Sequence, residues 1–84
     1  MDKLNTNIIL EILKDGSFEK RLCRGIFLKT NNHEYSIFEN HSNILLSLDN
    51  AKITIKIEQN KDECIEIDSG IFVFQNNNAK IIAQ

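Results

Sequence analysis

Two cysteines, two histidines and twelve carboxylates are the residues of this 84-residue chain whose chemistry could make a site. Cys23 and Cys64 stand alone. Neither has Cys-x-x-Cys spacing or a neighbouring histidine, so no metal-ligand pattern and no locally paired thiol nucleophile is written in the chain. His33 and His41 flank the stretch Glu34–Asn40. If that stretch is a strand, it holds the two imidazoles about 26 Å apart, too far to share an ion. No Gly-x-Ser-x-Gly elbow is present, and Gly16, Gly25 and Gly70 are too scattered to cradle a phosphate. Paired carboxylates work as acid and base only where burial separates their pKa values. Asp62, Glu63, Glu66 and Asp68 fall instead in a turn and on a solvated strand face. The chain reads as non-enzymatic, with no cofactor and no metal.

Charge is the remaining lead. Residues 1–30 carry six cations against four anions, and residues 31–84 carry four against eight. The acidic half can present Glu58, Asp62, Glu63, Glu66 and Asp68 to a basic partner protein, since complementary fields speed encounter and fix orientation. The basic cluster Lys20, Arg21 and Arg24 can instead meet phosphate, with Phe27, Tyr35 or Phe38 stacking on bases. The overall charge of −2 weighs against a chain built to coat nucleic acid or an anionic membrane.

These residues need a scaffold, and composition limits what it can be. With 42% hydrophobic and 26% charged residues, the chain is globular, not disordered. Its length allows one domain, 1–84, burying only about 60% of the surface its unfolded form exposes. Met1–Asp2–Lys3 leads into no apolar segment, and Gly70–Ala79, the longest uncharged stretch, is too short and polar to span a bilayer. The expectation is a cytoplasmic protein with reduced thiols.

Turn residues recur at Asp15–Gly16, Asn31–Asn32, Asn40–Asn43, Asp49–Asn50, Gln59–Asp62, Ser69–Gly70 and Asn76–Asn78. The intervals suit strands. Ile53, Ile55 and Ile57 alternate with polar residues, as do Ile65 and Ile67, which predicts a hairpin. Centred on Lys61, it sets Ile57 opposite Ile65, Ile55 opposite Ile67 and Lys56 opposite Glu66. Residues 4–14 read two ways. They form a helical stripe laid on the sheet, or the first strand of a hairpin turning at Asp15–Gly16 that pairs Leu13 with Phe18, Glu11 with Lys20 and Ile9 with Leu22. Three runs are apolar on both faces: Ile26–Leu28, Ile44–Leu46 and Ile71–Phe74. They demand closure into a barrel or sandwich, or a partner, and Ile71, Phe72 and Phe74 are the candidates for a homo-oligomer interface. Gly25-Ile26-Phe27-Leu28 is echoed by Gly70-Ile71-Phe72-Val73.

Asp15–Gly16 followed by Gly25-Ile26-Phe27 and Asn31-Asn32-His33-Glu34-Tyr35 resembles the order of motifs in small Sm-like RNA-binding barrels. The chain departs from that family where RNA is contacted: Asn31 and Tyr35 replace its Asp and Asn, and Asp68-Ser69-Gly70 stands for its Arg-Gly. The sequence therefore predicts a mainly β domain, a small antiparallel barrel or sandwich of six to seven short strands. The function expected is a binding module that regulates or inhibits a partner protein by occupying its surface. Small phage or bacterial proteins that block nucleic-acid-binding host proteins are of this kind. The alternative is an Sm-like or OB-like barrel that binds RNA or DNA.

Overall fold

Asp15 and Gly16 have φ of 53° and 78°, the left-handed pair that a two-residue hairpin requires and that Gly accepts without strain. They join β1 (Ile8–Lys14) to β2 (Ser17–Cys23) in the predicted register, Leu13 opposite Phe18, Glu11 opposite Lys20 and Ile9 opposite Leu22. The computed structural model describes residues 8–58 and 61–84. Within them residues 8–14 are strand, which removes the helical reading there, while positions 4–7 lie outside the described residues.

The remaining strands are β3 (Gly25–Lys29), β4 (Glu34–Phe38), β5 (Ile44–Glu58), β6 (Lys61–Gln75) and β7 (Asn78–Ala83). All seven form one hydrogen-bonded sheet in the order β2-β1-β7-β6-β5-β3-β4. Two expectations need correction. The strands are not all short, because β5 and β6 have 15 residues each. Nor is the sheet wholly antiparallel, because β1 and β7 run parallel, Leu10 beside Ala79 and Ile12 beside Ile81.

The long hairpin makes the sandwich. Fifteen residues of straight strand would reach about 46 Å, beyond the longest axis of the molecule, 40 Å. β5 and β6 bend where Asn50 adopts φ 50°. The first half of β5 and the second half of β6 continue the layer of β7, β1 and β2. Their other halves join β3 and β4 in the second layer. The β5–β6 register also differs from the predicted one. Ile53 faces Ile65, Ala51 faces Ile67 and Lys52 faces Glu66. The shift is even, so every isoleucine keeps its face.

Alternate residues from both layers fill the space between them: Ile8, Leu10, Ile12, Ile26, Leu28, Ile37, Ile53, Ile55, Ile67, Phe72, Phe74 and Ile81 are all buried. No polar or charged residue is buried among those described. Phe72 and Phe74, which the sequence offers to an interface, are each 0% exposed. β7 sets Ile81 beside Phe72 and Ala79 beside Phe74, which turns both rings into the core. Of that trio only Ile71 faces outward.

Candidate docking surface

The outer face of the first layer carries apolar side chains in ladder order. Phe18 lies beside Leu13, Leu13 beside Ile82, and Ile82 beside Ile71, so a single row crosses β2, β1, β7 and β6. Phe18 is 57% exposed, Leu13 43% and Ile71 41%. The next row reads Lys20, Glu11, Lys80, Val73, Leu45. Lys80 Nζ stands 3.8 Å from Glu11 Oε1, and Leu45 is the most exposed large apolar residue of those described, at 71%. An open depression of about 570 Å³ lies along this row between Glu11, Val73, Lys80 and Ile82. Apolar rows rimmed by charge suit contact with another protein surface.

The sequence read Leu13 opposite Phe18, but not that this pair faces out. That follows from the parallel docking of β1 on β7, which joins segments almost a chain length apart.

The expected acidic contact set is divided by the fold. Asp62 and Glu66 point out from the second layer, where Asp62 Oδ2 lies 3.4 Å from Lys56 Nζ and Glu66 sits opposite Lys52. Glu63 takes the inner phase opposite Ile55 and is half-buried. Asp68 is exposed near the bend, and the side chain of Glu58 lies outside the described residues. The basic cluster is divided as well. Arg21 forms an ion pair with Glu63 and reaches Glu19 at 3.4 Å. Lys20 points to the outer face and Arg24 turns the corner into β3, its N–H donating to Lys56 O at 2.7 Å. A cation read as a phosphate contact and a carboxylate read as a partner contact thus hold each other across the seam between the layers. Lys14 Nζ spans the same seam to Glu66 O at 3.5 Å.

The second layer has its own exposed aromatic corner. Phe38 covers Gly25 and meets Phe27 edge-on, with centroids 5.6 Å apart, and Lys56 Nζ lies 5.8 Å from the Phe27 ring centre. At one end of the sandwich, Asn40 N–H donates to Asn77 Oδ1 at 2.7 Å and Asn77 Nδ2 donates to Asn40 Oδ1 at 3.3 Å. This reciprocal bracket fixes the β4–β5 loop against the β6–β7 turn, while His41 packs edge-on against Phe74 at 6.0 Å.

The thiols differ in setting. Cys23 is buried, which pushes its pKa from 9.0 up to about 11, and a hydrogen bond from the Gly25 backbone opposes that only in part. Cys64 is exposed, its sulfur 3.4 Å from Thr54 Oγ1. His33 stacks on Tyr35 at 6.1 Å while His41 sits against Phe74. Among the described residues no group of His, Cys, Asp and Glu could hold a metal ion. None of their helices is long and apolar enough to cross a membrane.

Comparison with known proteins locates this architecture. Residues 10–84 match the family model for the ATP synthase, Delta/Epsilon chain, beta-sandwich domain. A chain of the Euglena gracilis mitochondrial ATP synthase, solved by cryo-EM as the OSCP/F1/c-ring assembly in rotational state 1, superposes with a TM-score of 0.84 at 18% identity. The match covers 96% of this chain but 52% of that one, so the present chain spans about half the length of its structural relative. No curated protein sequence matches it. These matches overturn the reading of a phage or bacterial inhibitor or regulator of a nucleic-acid-binding protein. The alternative of an Sm-like or OB-like RNA- or DNA-binding barrel falls with it.

Proposed function

The chain belongs to the family of ATP synthase delta/epsilon β-sandwich domains, and on that premise we propose that it is a non-catalytic part of an ATP synthase, docked among the other subunits of the complex. The observation that supports this is the exposed row Phe18, Leu13, Ile82, Ile71, continued by Val73 and Leu45. A sheet whose core is already closed has no internal use for a second apolar face, whereas a subunit does. The chain would then act peripherally, at the surface of the membrane that holds the complex. Glu66 and Asp68, exposed on the second layer, and Lys20 and Arg24 remain available as flanking contacts that set orientation.

The test is recovery of the tagged chain with the other ATP synthase subunits from detergent-solubilised membranes of its source cell. Wild type should co-purify stoichiometrically. A Phe18→Lys/Ile71→Lys double variant, altered only at exposed positions, should keep the β-sheet circular dichroism and lose at least nine-tenths of that recovery. A wild-type chain recovered without any ATP synthase subunit sinks the proposal.

A further inference from the structure

The strand order runs from β2 to β4, but β5 and β6 have neighbours on both sides over only part of their length. β3 reaches β5 from Lys52 to Lys56, and β7 reaches β6 from Gly70 to Gln75. Among the described residues, 44–49 of β5 and 61–68 of β6 therefore have one strand neighbour, as β2 and β4 do. Free edges invite pairing unless charge, proline or a bulge discourages it. Three of these four are guarded. β2 carries Glu19, Lys20 and Arg21. The β6 stretch carries Asp62, Glu63, Glu66 and Asp68, and Lys14 Nζ reaches across to Glu66 O. β4 carries Glu34, and Phe38 O at its end already accepts from His41 N–H at 3.0 Å. The β5 stretch has no such device. No residue from Ser42 to Leu48 is charged or proline, and none is from Ser69 to Ala79 on the strand and turn beside it.

The hydrogen-bonding phase of this edge follows from its neighbour. Gln84 N–H donates to Ser69 O, so by alternation Ser69, Ile71 and Val73 bond towards β7, and Gly70, Phe72 and Phe74 towards β5. Opposite these three stand Leu48, Leu46 and Ile44. The N–H and C=O groups of Leu45 and Ser47 then point away from the sheet, with no strand partner among the described residues. Burial marks the same edge as open. Ile44 and Leu46 take the inner phase yet are only half-buried, and Leu45 is the most exposed large apolar residue of those described. Leu45 also joins this edge to the apolar surface of the outer face.

We propose that a strand of another subunit pairs with β5 at Leu45 and Ser47. The edge sets the chemistry of that strand. It is apolar on both faces, with one face covering Ile44 and Leu46 and the other extending the outer surface beyond Leu45. It bears no lysine, arginine or carboxylate at the contact, because a charge there would be desolvated without a partner. This rests on the assembly proposed above and names the mode of contact within it.

Hydrogen exchange read by mass spectrometry, on the free chain and on the purified ATP synthase, tests it. Over residues 44–48 the amides of Leu45 and Ser47 should be slowed at least tenfold in the complex. Ser47→Pro removes one outward donor and leaves the β6 ladder intact, as proline is tolerated at such edge positions. That variant should keep its circular dichroism and be recovered with the complex at least tenfold less than wild type, while Ser47→Thr is recovered normally. Should Ser47→Pro lose its circular dichroism, the wild-type exchange decides alone. Unchanged exchange at Leu45 and Ser47 in the assembled chain, or a Ser47→Pro variant that assembles as wild type does, overturns the strand addition and leaves the assembly standing. Light scattering that shows the free chain as a dimer, with both amides already slowed, gives the edge to a second copy and overturns it as well. A wild-type chain that never assembles overturns both.

Discussion

Gly25 and Gly70 open the two echoing segments, yet alanine at the two positions should have very different consequences. A Cβ on Gly70 would come 2.3 Å from Ile82 O and 3.1 Å from Ala83 Cα, about 1 Å inside ordinary contact with backbone. β7 cannot retreat by that distance and stay paired, since Gly70 faces Ala83 and Ile71 faces Ile82, and Gln84 N–H donates to Ser69 O at 2.9 Å alongside. Overpacking of this kind costs about 1–3 kcal/mol, and one or two weakened ladder bonds add about 1 kcal/mol each. Restricting the unfolded chain returns roughly 0.4–1 kcal/mol. The net loss is about 2–4 kcal/mol, out of a total of about 4–13 kcal/mol for a chain of this length. At Gly25 the obstruction is Phe38 Cε1 at 2.8 Å, the far end of a ring that is 49% exposed and free to swing outward. Gly25→Ala should therefore cost less than about 1 kcal/mol. Urea unfolding followed by circular dichroism measures both. With a slope near 1 kcal/mol per molar, Gly70→Ala should lower the midpoint by about 2 M or more. Equal midpoints for the two variants would refute the steric reasoning.

Three further outcomes follow from the same packing. Phe72→Ala empties a fully buried site between Leu46 and Ile81 and should cost about 3–5 kcal/mol, seen as a large drop in melting temperature. The Arg21–Glu63 pair is partly exposed, with side chains 30% and 39% accessible, so a double-mutant cycle of Arg21→Gln and Glu63→Gln should return a coupling below about 1 kcal/mol, shrinking further with added salt. A thiol reagent at pH 8 should label Cys64 at once and Cys23 only on unfolding. Because burial raises the Cys23 pKa from 9.0 to about 11, the folded state keeps a proton that the unfolded state loses in that window. Stability should therefore fall between pH 9 and 11 by about 2–3 kcal/mol more than it does in Cys23→Val, and identical pH profiles would contradict it.

The parts legible in the sequence were those fixed by neighbours along the chain. Asp15–Gly16 dictates both turn type and register, so the β1–β2 pairing can be read directly. In the β5–β6 hairpin, isoleucines recur every second residue, and sliding Ile65 from Ile57 to Ile53 swaps one isoleucine for another. Pattern alone fixes the face there and leaves the register open. Asp49–Asn50 and Ser69–Gly70 look like chain reversals, yet they mark the bend of one continuous hairpin, because turn residues also serve where a strand must coil. Ile71–Phe74 is apolar on both faces, and only the distant β7 decides that Phe72 and Phe74 point in and Ile71 points out. The exposed apolar row was hidden for the same reason, as it needs β1 laid beside β7.

That parallel pairing also governs the order in which the molecule can form. Residues 9–13 have their slot beside residues 78–82, so a nascent chain leaving the ribosome can close the first hairpin early but cannot seat it. Ile12 and Leu10 stay in water until β7, about 70 residues later, has been made. Loop closure over that separation comes before any reward from the contacts it permits, which places this domain among slow, late-committing folders. β7, the last of the described strands in chain order, is then the wedge that locks β1 to β6, and its removal would cost two ladders at a stroke, the one to β6 and the one that seats the first hairpin.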